Sequence, residues 1–387
     1  VDIKRIQELR AGFDRTMELG AADLDAIAGL TLSSNQGDLA AADFYIVTVP
    51  TPIDSNKKPD LSYLISASEL VGSYISTGDI VVYESTVYPG CTEDVCVDVL
   101  EKASGLKFNS DFFCGYSPER INPGDKKRQL KDIVKVTSGS NPEVAKVIDE
   151  LYSEIIEAGT FLVDSIKIAE ASKVIENTQR DLNIAFMNEL SIIFDHLGID
   201  TKSVLEAAAT KWNFLKFSPG LVGGHCISVD PYYLTSRSES MGYIPDLLNS
   251  SRQLNDSMPK IVVDKLLRTM NIRGIPVKDA RILIMGVTFK ENCPDLRNSK
   301  VYDVIDELLN FTKTIDVFDD VAKRDELGNF SIVDNPEKNY YDAVLICVPH
   351  QTIMDIGIKV IRQFCKSESV IFDLKSNFPL GLTDLRL

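Results

Sequence analysis

The sequence lacks a long apolar run, a C-x-x-C pair and an excess of basic residues. No run approaches the roughly 20 apolar residues that span a bilayer, and no basic and apolar leader opens the chain, so we expect a cytoplasmic protein without membrane insertion. Seven scattered cysteines, an odd number, argue for reduced thiols and against a disulfide framework or a metal site. A net charge of −16 would repel nucleic acid, so an anionic ligand needs locally concentrated cations.

The chain of 387 residues exceeds what one hydrophobic core usually supports. Residues 164–197 contain no proline or glycine and predict one long helix, and a further helix is expected from Ser257 to Met270. Strand-like runs alternate with helical segments on both sides of this region, as in DFYIVTVPTP, DIVVYESTVYPG, ARILIMGVTF and YDAVLICVPH. The pattern predicts an α/β protein with two Rossmann-like doubly wound domains, at 1–160 and 257–387, joined by the long central helix and a helical middle domain at 161–256.

The segment GLVGGHCISVDPYYL, from Gly220 to Leu234, carries the clearest chemical signal. Two glycines before His225 and Cys226 let the backbone approach a ligand closely, and a cysteine near cationic groups can act as a thiolate nucleophile. A buried structural cysteine in a tight turn would fit the same sequence. Charged residues such as Lys290 and Arg297, each taken alone, would equally fit a solvated surface. Taken alone, the segment leaves both interpretations open.

Five segments in this order, STVYPG, YSPERINPG, AEASKVIENTQRDLN, GGHCISVDPYYL and TFKENCPDLRNS, resemble the UDP-glucose/GDP-mannose dehydrogenase superfamily. The form WNFLKFSPGLVGGHC with SPERINPG is similar to the branch that acts on UDP-N-acetylglucosamine or UDP-N-acetylgalactosamine for capsule or O-antigen polysaccharides. UDP-glucose dehydrogenases typically have phenylalanine and leucine where Arg120 and Ile121 stand here. The resemblance implies an NAD-dependent 6-dehydrogenase that oxidises a sugar CH2OH to a carboxylate.

Catalytic roles follow from the resemblance, residue by residue. It makes Cys226 the nucleophile that forms a thioester and Glu119 the general base. Lys173 and Asn177, four apart and therefore on one face of a helix, would stabilise negative charge on oxygen. The remaining catalytic assignments are Asp230, as the partner of Lys173, and Thr86, as a ligand of the bound water.

The cofactor site is implied in the same way, although the sequence shows no G-x-G-x-x-G loop. Val1-Asp2-Ile3 resembles the end of the family's second strand, which makes Asp2 the acidic group for the adenosine ribose. We expect residues to be missing near Ile3 and after Asp320, and the alternative is a chain that lacks the first βα unit. The other residues assigned to NAD are Arg5, Val49, Pro50, Thr51, Ser85, Thr86 and Arg297.

For the UDP-sugar the resemblance assigns a glycine-rich loop and charged residues from several segments. The long helix is implied to form a homodimer. Three rivals stay open: the same chemistry on UDP-glucose or UDP-N-acetylmannosamine, a non-catalytic nucleotide-binding protein, and a cysteine hydrolase. The residues assigned to the substrate are Glu119, Arg120, Ile121, Lys173, Asn177, Phe217, Gly220, Gly223, Phe289 and Lys290.

Overall fold

The structure is a computed structural model that describes residues 3–15, 19–20, 29–122, 128–224, 226–328 and 330–387. Its internal contacts divide the chain into two compact units, Val1–Lys173 and Val174–Leu387. The division falls inside one long helix, so this helix contributes residues to both units.

The first unit contains a parallel sheet of three strands in the order β1-β2-β3. Val47, Tyr83 and Tyr116 are aligned, so the carboxyl ends of the three strands lie side by side. A second parallel pair, β4 and β5, follows. The strands are β1 (Phe44–Val47), β2 (Ile80–Tyr83), β3 (Phe113–Tyr116), β4 (Lys135–Thr137) and β5 (Thr160–Leu162), and the helices are α1 (Ile3–Arg10), α2 (Ser62–Gly72), α3 (Val97–Ser104) and α4 (Pro142–Ser153), with short 3-10 helices at Gln36–Ala41 and Leu130–Asp132 and a π-helix at Thr92–Cys96.

Side chains alternate across β2 and bury both faces of this sheet. Val81 and Tyr83 pack in one apolar cluster with α2 and α3, whereas Val82 packs in another with α4. Gly115 is required in β3 because a Cβ there would lie 2.7 Å from the Ser138 carbonyl oxygen. The helices that alternate with the strands along the chain therefore cover both faces of the sheet.

The long helix α5 spans Ile166–Leu197, close to the predicted 164–197, and ends where Gly198 adopts a positive φ of 67°. The helices α6 (Thr201–Ala208), α7 (Asp230–Ser240) and α8 (Asp246–Ile272) follow it. The helix predicted from Ser257 to Met270 is longer than predicted. It begins at Asp246 and continues through Pro259, a residue that is typical of a helix start but is buried inside this one.

The second unit contains a six-stranded parallel sheet in the order β11-β10-β9-β6-β7-β8. In β6, Ile282 and Ile284 pack with α8 and α9, while Leu283 and Met285 pack on the opposite face with α10 and α11. Both faces are thus covered by helices, as in a doubly wound domain. The elements are β6 (Arg281–Met285), α9 (Lys300–Leu309), β7 (Thr314–Phe318), a 3-10 helix (Arg324–Glu326), β8 (Ser331–Ile332), β9 (Tyr341–Ile346), α10 (Gln351–Ile356), α11 (Ile358–Phe364), β10 (Cys365–Asp373) and β11 (Leu385–Arg386).

The predicted α/β class with parallel sheets is confirmed. The domain boundaries at 160 and 256 stay predictions. Ile3 begins α1 and does not end a strand, and Val1 and Asp2 lie outside the described residues. Of the helices that the structure describes, none is long and apolar enough to cross a membrane.

Candidate active site

The carboxyl edge of the first sheet gathers the residues assigned to NAD from β1 and β2. Val49, Pro50 and Thr51 follow β1, and Ser85 and Thr86 follow β2. The Ser85 hydroxyl donates to the Val49 carbonyl at 2.6 Å, which ties the two strand ends together. Ligands of open α/β sheets bind at this edge, so these residues fit a dinucleotide.

Glu119, Arg120 and Ile121 follow β3 at the same edge, in a segment supported by a buried ion pair. The Glu119 amide donates to the Glu84 carbonyl at 3.3 Å, and the Ile121 amide donates to the Glu119 carboxylate. Beneath them the Glu84 carboxylate is 3.1 Å from Lys135 Nζ and accepts a 2.5 Å hydrogen bond from the Tyr152 hydroxyl. The backbone of Glu119 is thus bonded to Glu84, whose carboxylate is held by Lys135 and Tyr152.

The start of α5 is docked onto the turn that follows Thr86. Buried Glu170 accepts the backbone amides of Gly90 at 2.5 Å and Thr92 at 2.8 Å, at the beginning of the π-helix. Burial raises the pKa of Glu170 to about 7, against the lowering effect of these two amides. Lys173 lies three residues further along the same helix and is itself buried. Glu170 was not recognised from the sequence.

In the second unit Cys226 differs from every other cysteine of the chain. It is half-buried, whereas the other six are buried, and burial raises the pKa of Cys114 and Cys347. A half-buried thiol is accessible to a substrate carbon, whereas buried thiols are inert. His225, which precedes it, lies outside the described residues.

The Cys226 turn leads directly into α7 and is joined to α5. The Cys226 carbonyl accepts the backbone amide of Asp230, the first residue of α7, at 2.9 Å. The Asn177 side-chain amide donates to Asp230 Oδ2 at 2.6 Å, and both side chains are buried. A carboxylate at a helix N-terminus is stabilised there by the helix dipole. Three residues predicted to be catalytic are therefore brought together.

The glycine-rich loop before Cys226 is fixed by side chains of α5 and by close backbone packing. Asn188 accepts the Gly220 amide at 2.8 Å through Oδ1 and donates to the Gly220 carbonyl at 3.1 Å. A Cβ on Gly223 would lie 2.6 Å from the Asn298 carbonyl oxygen. Glycine is thus required at position 223 because the backbone of residue 298 lies too close for a Cβ.

A loop between β6 and α9 brings the predicted residues Phe289, Lys290 and Arg297 to the same region of the second unit. The ring of Phe289 packs under Gly224, where a Cβ would meet it at 2.9 Å. Arg297 is exposed and forms a two-pronged ion pair with Asp295, at 2.6 and 2.9 Å. This bond is the main reason why the pKa of Arg297 is raised, and the charges of Asp295 and Cys226 add to the effect.

A cavity of about 510 Å³ lies beside the glycine-rich loop. Phe217, predicted to bind the substrate, lines it together with Phe214 and three lysines, Lys202, Lys216 and Lys375. The Lys375 side chain also packs against Gly220, where an added Cβ would be 3.3 Å from the lysine Cε. Lys375 was not predicted, because it stands in FDLKSNF, far along the chain from the loop.

Three further predicted residues are Asp2, Arg5 and Arg120. Asp2 lies outside the described residues, and Arg5 donates through Nη2 to Asp14 at 2.6 Å. Arg120 donates to the Val134 carbonyl at 2.8 Å. Within the described parts of the chain, no three His, Cys, Asp or Glu side chains gather in a way that could hold a metal ion.

Profiles of one family match nearly the whole chain. The NAD binding domain of the UDP-glucose/GDP-mannose dehydrogenase family matches residues 1–156, its central domain matches 167–257 and its UDP binding domain matches 283–378. The chain belongs to the UDP-glucose/GDP-mannose dehydrogenase family. It is an oxidoreductase with NAD as its cofactor and a UDP-sugar as its small-molecule ligand.

Named relatives are similar over almost their full lengths. The chain is 55% identical over 386 residues to UDP-N-acetyl-D-glucosamine 6-dehydrogenase of Pseudomonas aeruginosa, covering 99% of this chain and 92% of the relative. It is 51% identical over 390 residues to the enzyme of the same name from Salmonella typhi, covering 100% and 92%. The structure of a UDP-D-ManNAc dehydrogenase from Pyrococcus horikoshii superposes with a TM-score of 0.87 at 26% identity, covering 100% of this chain and 91% of that one.

Proposed function

We propose that the chain oxidises the C6 hydroxyl of UDP-N-acetyl-D-glucosamine to a carboxylate in two NAD-dependent steps, with Cys226 holding the intermediate. The observation that carries this proposal is the half-buried Cys226 on a turn that is bonded to Asp230, whose carboxylate is bonded in turn to Asn177 of α5. The two relatives at 51–55% identity carry this substrate in their names. The superfamily resemblance predicted the same chemistry.

In the proposed order, the C6 alcohol first loses a hydride and a proton and becomes an aldehyde. The Sγ of Cys226 adds to the aldehyde carbon as a thiohemiacetal, which loses a second hydride and a proton to become a thioester. Water then releases the uronic acid and regenerates the thiol. NAD, when bound, accepts each hydride, so two NADH form per sugar.

The side chains of this chain have separate tasks in that order. Arg297 contacts NAD, as the resemblance implies, and Glu119 takes a proton from the attacking water. Lys173, as a buried cation on α5, stabilises negative charge on the C6 oxygen. Asn177 keeps the carboxylate of Asp230 in one orientation. We assign these roles by the family resemblance, residue by residue.

For the uridine diphosphate we propose the cavity beside Phe217. Its volume of about 510 Å³ falls within the range of about 300–1,000 Å³ that is usual for small-molecule pockets. Phe214 and Phe217 supply apolar faces for the base, and Lys375 supplies a cation beside the glycine-rich loop for the diphosphate. We add Lys375 to Lys290 as a phosphate ligand, although the net charge of the chain is −16.

We further propose a cytoplasmic homodimer that supplies a surface polysaccharide pathway. On α5, large apolar side chains at intervals of 11, 7 and 4 return to one face, namely Ile175, Phe186, Ile193 and Leu197, and are 45–63% exposed. Such a face usually marks an interface. Phe186→Glu should shift the sedimentation coefficient from dimer to monomer, whereas a monomeric wild-type chain would refute the dimer.

The proposed reaction is tested by NADH release from a panel of sugars. UDP-N-acetylglucosamine, UDP-N-acetylgalactosamine, UDP-N-acetylmannosamine and UDP-glucose are each supplied in limiting amount. We expect two NADH per UDP-N-acetylglucosamine, the highest kcat/KM with that sugar, and no NADH from Cys226→Ala. One NADH per sugar, or turnover that survives in Cys226→Ala, would refute the thioester route, and no turnover with any sugar would favour a binding protein.

A further inference from the structure

The loop of residues 286–299 carries three residues of the proposed site but has no helix or strand of its own. Phe289 packs under Gly224, Lys290 is a proposed phosphate ligand, and Arg297, assigned to NAD, is paired with Asp295 of the same loop. A loop without regular hydrogen bonding needs other bonds to hold such side chains in place. The hydrogen bonds that anchor this loop to the rest of the unit therefore affect how it binds substrate.

The middle of the loop is anchored by Asn292, which bonds to two consecutive residues at the start of α10. Its backbone amide donates to His350 Nδ1 at 2.9 Å, and its Oδ1 accepts the Gln351 amide at 2.8 Å. Asn292 has a φ of 57°, a conformation that asparagine tolerates better than most residues. The two bonds form a reciprocal clamp between the loop and the helix start.

The imidazole of His350 is held from its other side as well. Because Nδ1 accepts a hydrogen bond, the proton of the neutral ring lies on Nε2, which is 3.1 Å from Asp319 Oδ2 and 3.3 Å from Thr288 Oγ1. Asp319 is fixed in turn by the amides of Val287, Val321 and Ala322. His350 is 0% exposed, so the ring is a buried link and not a reactive group.

The far end of the loop is bonded to the turn that carries Cys226. The Gly224 amide donates to the Asn298 carbonyl at 3.2 Å, and the Asn298 side chain donates to the Gly224 carbonyl at 3.4 Å. Within the loop, the Phe289 amide donates to the Asp295 carbonyl at 3.1 Å. A continuous set of contacts thus leads from His350 through the loop to the nucleophile turn.

We propose that His350 and Asn292 are positioning residues, which clamp this loop so that Lys290 and Phe289 meet the sugar nucleotide beside Cys226. The assignment of Lys290 to phosphate rests on the proposed function. The clamp itself rests on the bonds of Asn292 and His350. Loss of the clamp weakens binding of UDP and of the UDP-sugar without removing the nucleophile.

A pair of His350 variants separates the two sides of the ring. Asparagine is short and keeps an acceptor near the position of Nδ1, whereas glutamine is longer and keeps a donor near the position of Nε2. We expect His350→Gln to bind UDP about fivefold more weakly in calorimetry, the effect of one lost hydrogen bond, and to raise KM more than it lowers kcat. His350→Asn should bind UDP with an affinity within about twofold of wild type.

A matched pair at Asn292 tests the clamp from the exposed side, where folding is less at risk. Asn292→Gly keeps the positive φ but loses the bond to Gln351, while Asn292→Asp keeps the acceptor. We expect the glycine variant, and His350→Gln, to be cut faster by trypsin after Lys290 and Arg297, and the aspartate variant to be cut at the wild-type rate. Tryptic cleavage needs no ligand, so it reports on the clamp even if UDP is not bound at all.

The proposal is overturned if His350→Gln and Asn292→Gly keep wild-type UDP affinity and wild-type cleavage at Lys290 and Arg297. It is also overturned if His350→Asn and His350→Gln lose UDP affinity equally, because the two sides of the ring would then not differ. If the wild type itself fails to bind UDP, the proposed function fails, and unchanged cleavage in the variants would additionally refute the clamp.

Discussion

Asn177 donates through its side-chain amide to the carboxylate of Asp230 at 2.6 Å, although the two residues are 53 positions apart in the chain. Both side chains are buried, 7% and 3% exposed. Asp230 follows Cys226 by one turn, and its amide bonds to the Cys226 carbonyl. The pair therefore couples the long helix α5 to the turn that carries the nucleophile.

Changing Asn177 to aspartate places a second carboxylate against Asp230. Two close carboxylates cannot both ionise, so one takes up a proton and the geometry of the turn changes. We expect Asn177→Asp to lower kcat by at least about 100-fold, measured as NADH formation. Asn183→Asp on the same helix, where the amide bonds to the Gln179 carbonyl, is the control and should keep near wild-type activity.

Gly223 packs against backbone, and this contact makes the position intolerant of a methyl group. Alanine would place Cβ 2.6 Å from the Asn298 carbonyl oxygen and 3.1 Å from the Lys300 nitrogen. We expect Gly223→Ala to lower kcat/KM at least tenfold and the free energy of unfolding by about 1–3 kcal/mol. Gly29→Ala, which meets no atom within 4 Å, is the control, and equal effects of the two changes would contradict the packing argument.

Lys135 and Glu84 form a buried ion pair beneath the Glu119 segment, with Lys135 only 3% exposed. Removing Lys135 leaves the Glu84 carboxylate, which is only 13% exposed, without its cation. Lys135→Met should therefore lower the free energy of unfolding by about 3–5 kcal/mol in urea titrations. Lys146→Met, which breaks an exposed pair with Glu150, should change it by less than about 0.5 kcal/mol, and a similar loss in both variants would argue against the distinction.

Glu170 makes stability depend on pH in a defined window. Its pKa rises from 4.5 to about 7 on folding, so the native state binds the proton more tightly than the unfolded state does. Its contribution is complete below about pH 4.5 and is lost as pH rises through about 7, by an amount on the order of 3 kcal/mol.

The variant Glu170→Gln does not titrate and provides the reference. The free energy of unfolding of the wild type relative to this variant should fall between about pH 4.5 and 7 and stay constant above that range. Glu189→Gln, exposed on the same helix, should show no such trend. A flat difference between wild type and Glu170→Gln would show that the carboxylate is not perturbed.

The sequence alone predicted those elements of the fold that depend on short stretches of neighbouring residues. The strand β2 lies at the start of the run that was predicted as a strand followed by a turn, and the helix that Gly198 ends begins within two residues of its predicted start. The start of α8 was predicted at Ser257 but lies at Asp246, and the helix continues through Pro259. Local patterns therefore predict elements better than their ends.

The missed site residues depend on contacts between distant segments. His350 was not among the predicted site residues, yet it bonds to Asn292, 58 residues earlier, and to Asp319. Lys375 reaches Gly220 across more than 150 positions of the chain. Sequence periodicity does not indicate contacts between distant segments, so these two residues could be identified only from the three-dimensional structure.

The central claim is that the sugar is held on Cys226 as a thioester, and mass spectrometry of a stalled reaction tests it most directly. Glu119→Gln lacks the proposed base for hydrolysis, so the variant supplied with NAD and UDP-N-acetylglucosamine should accumulate the acyl-enzyme. After acid quench, we predict that the peptide containing Cys226 carries the mass of the UDP-N-acetylglucosaminuronyl group. An unmodified Cys226 peptide during NADH formation, or the adduct on another cysteine, would contradict the claim.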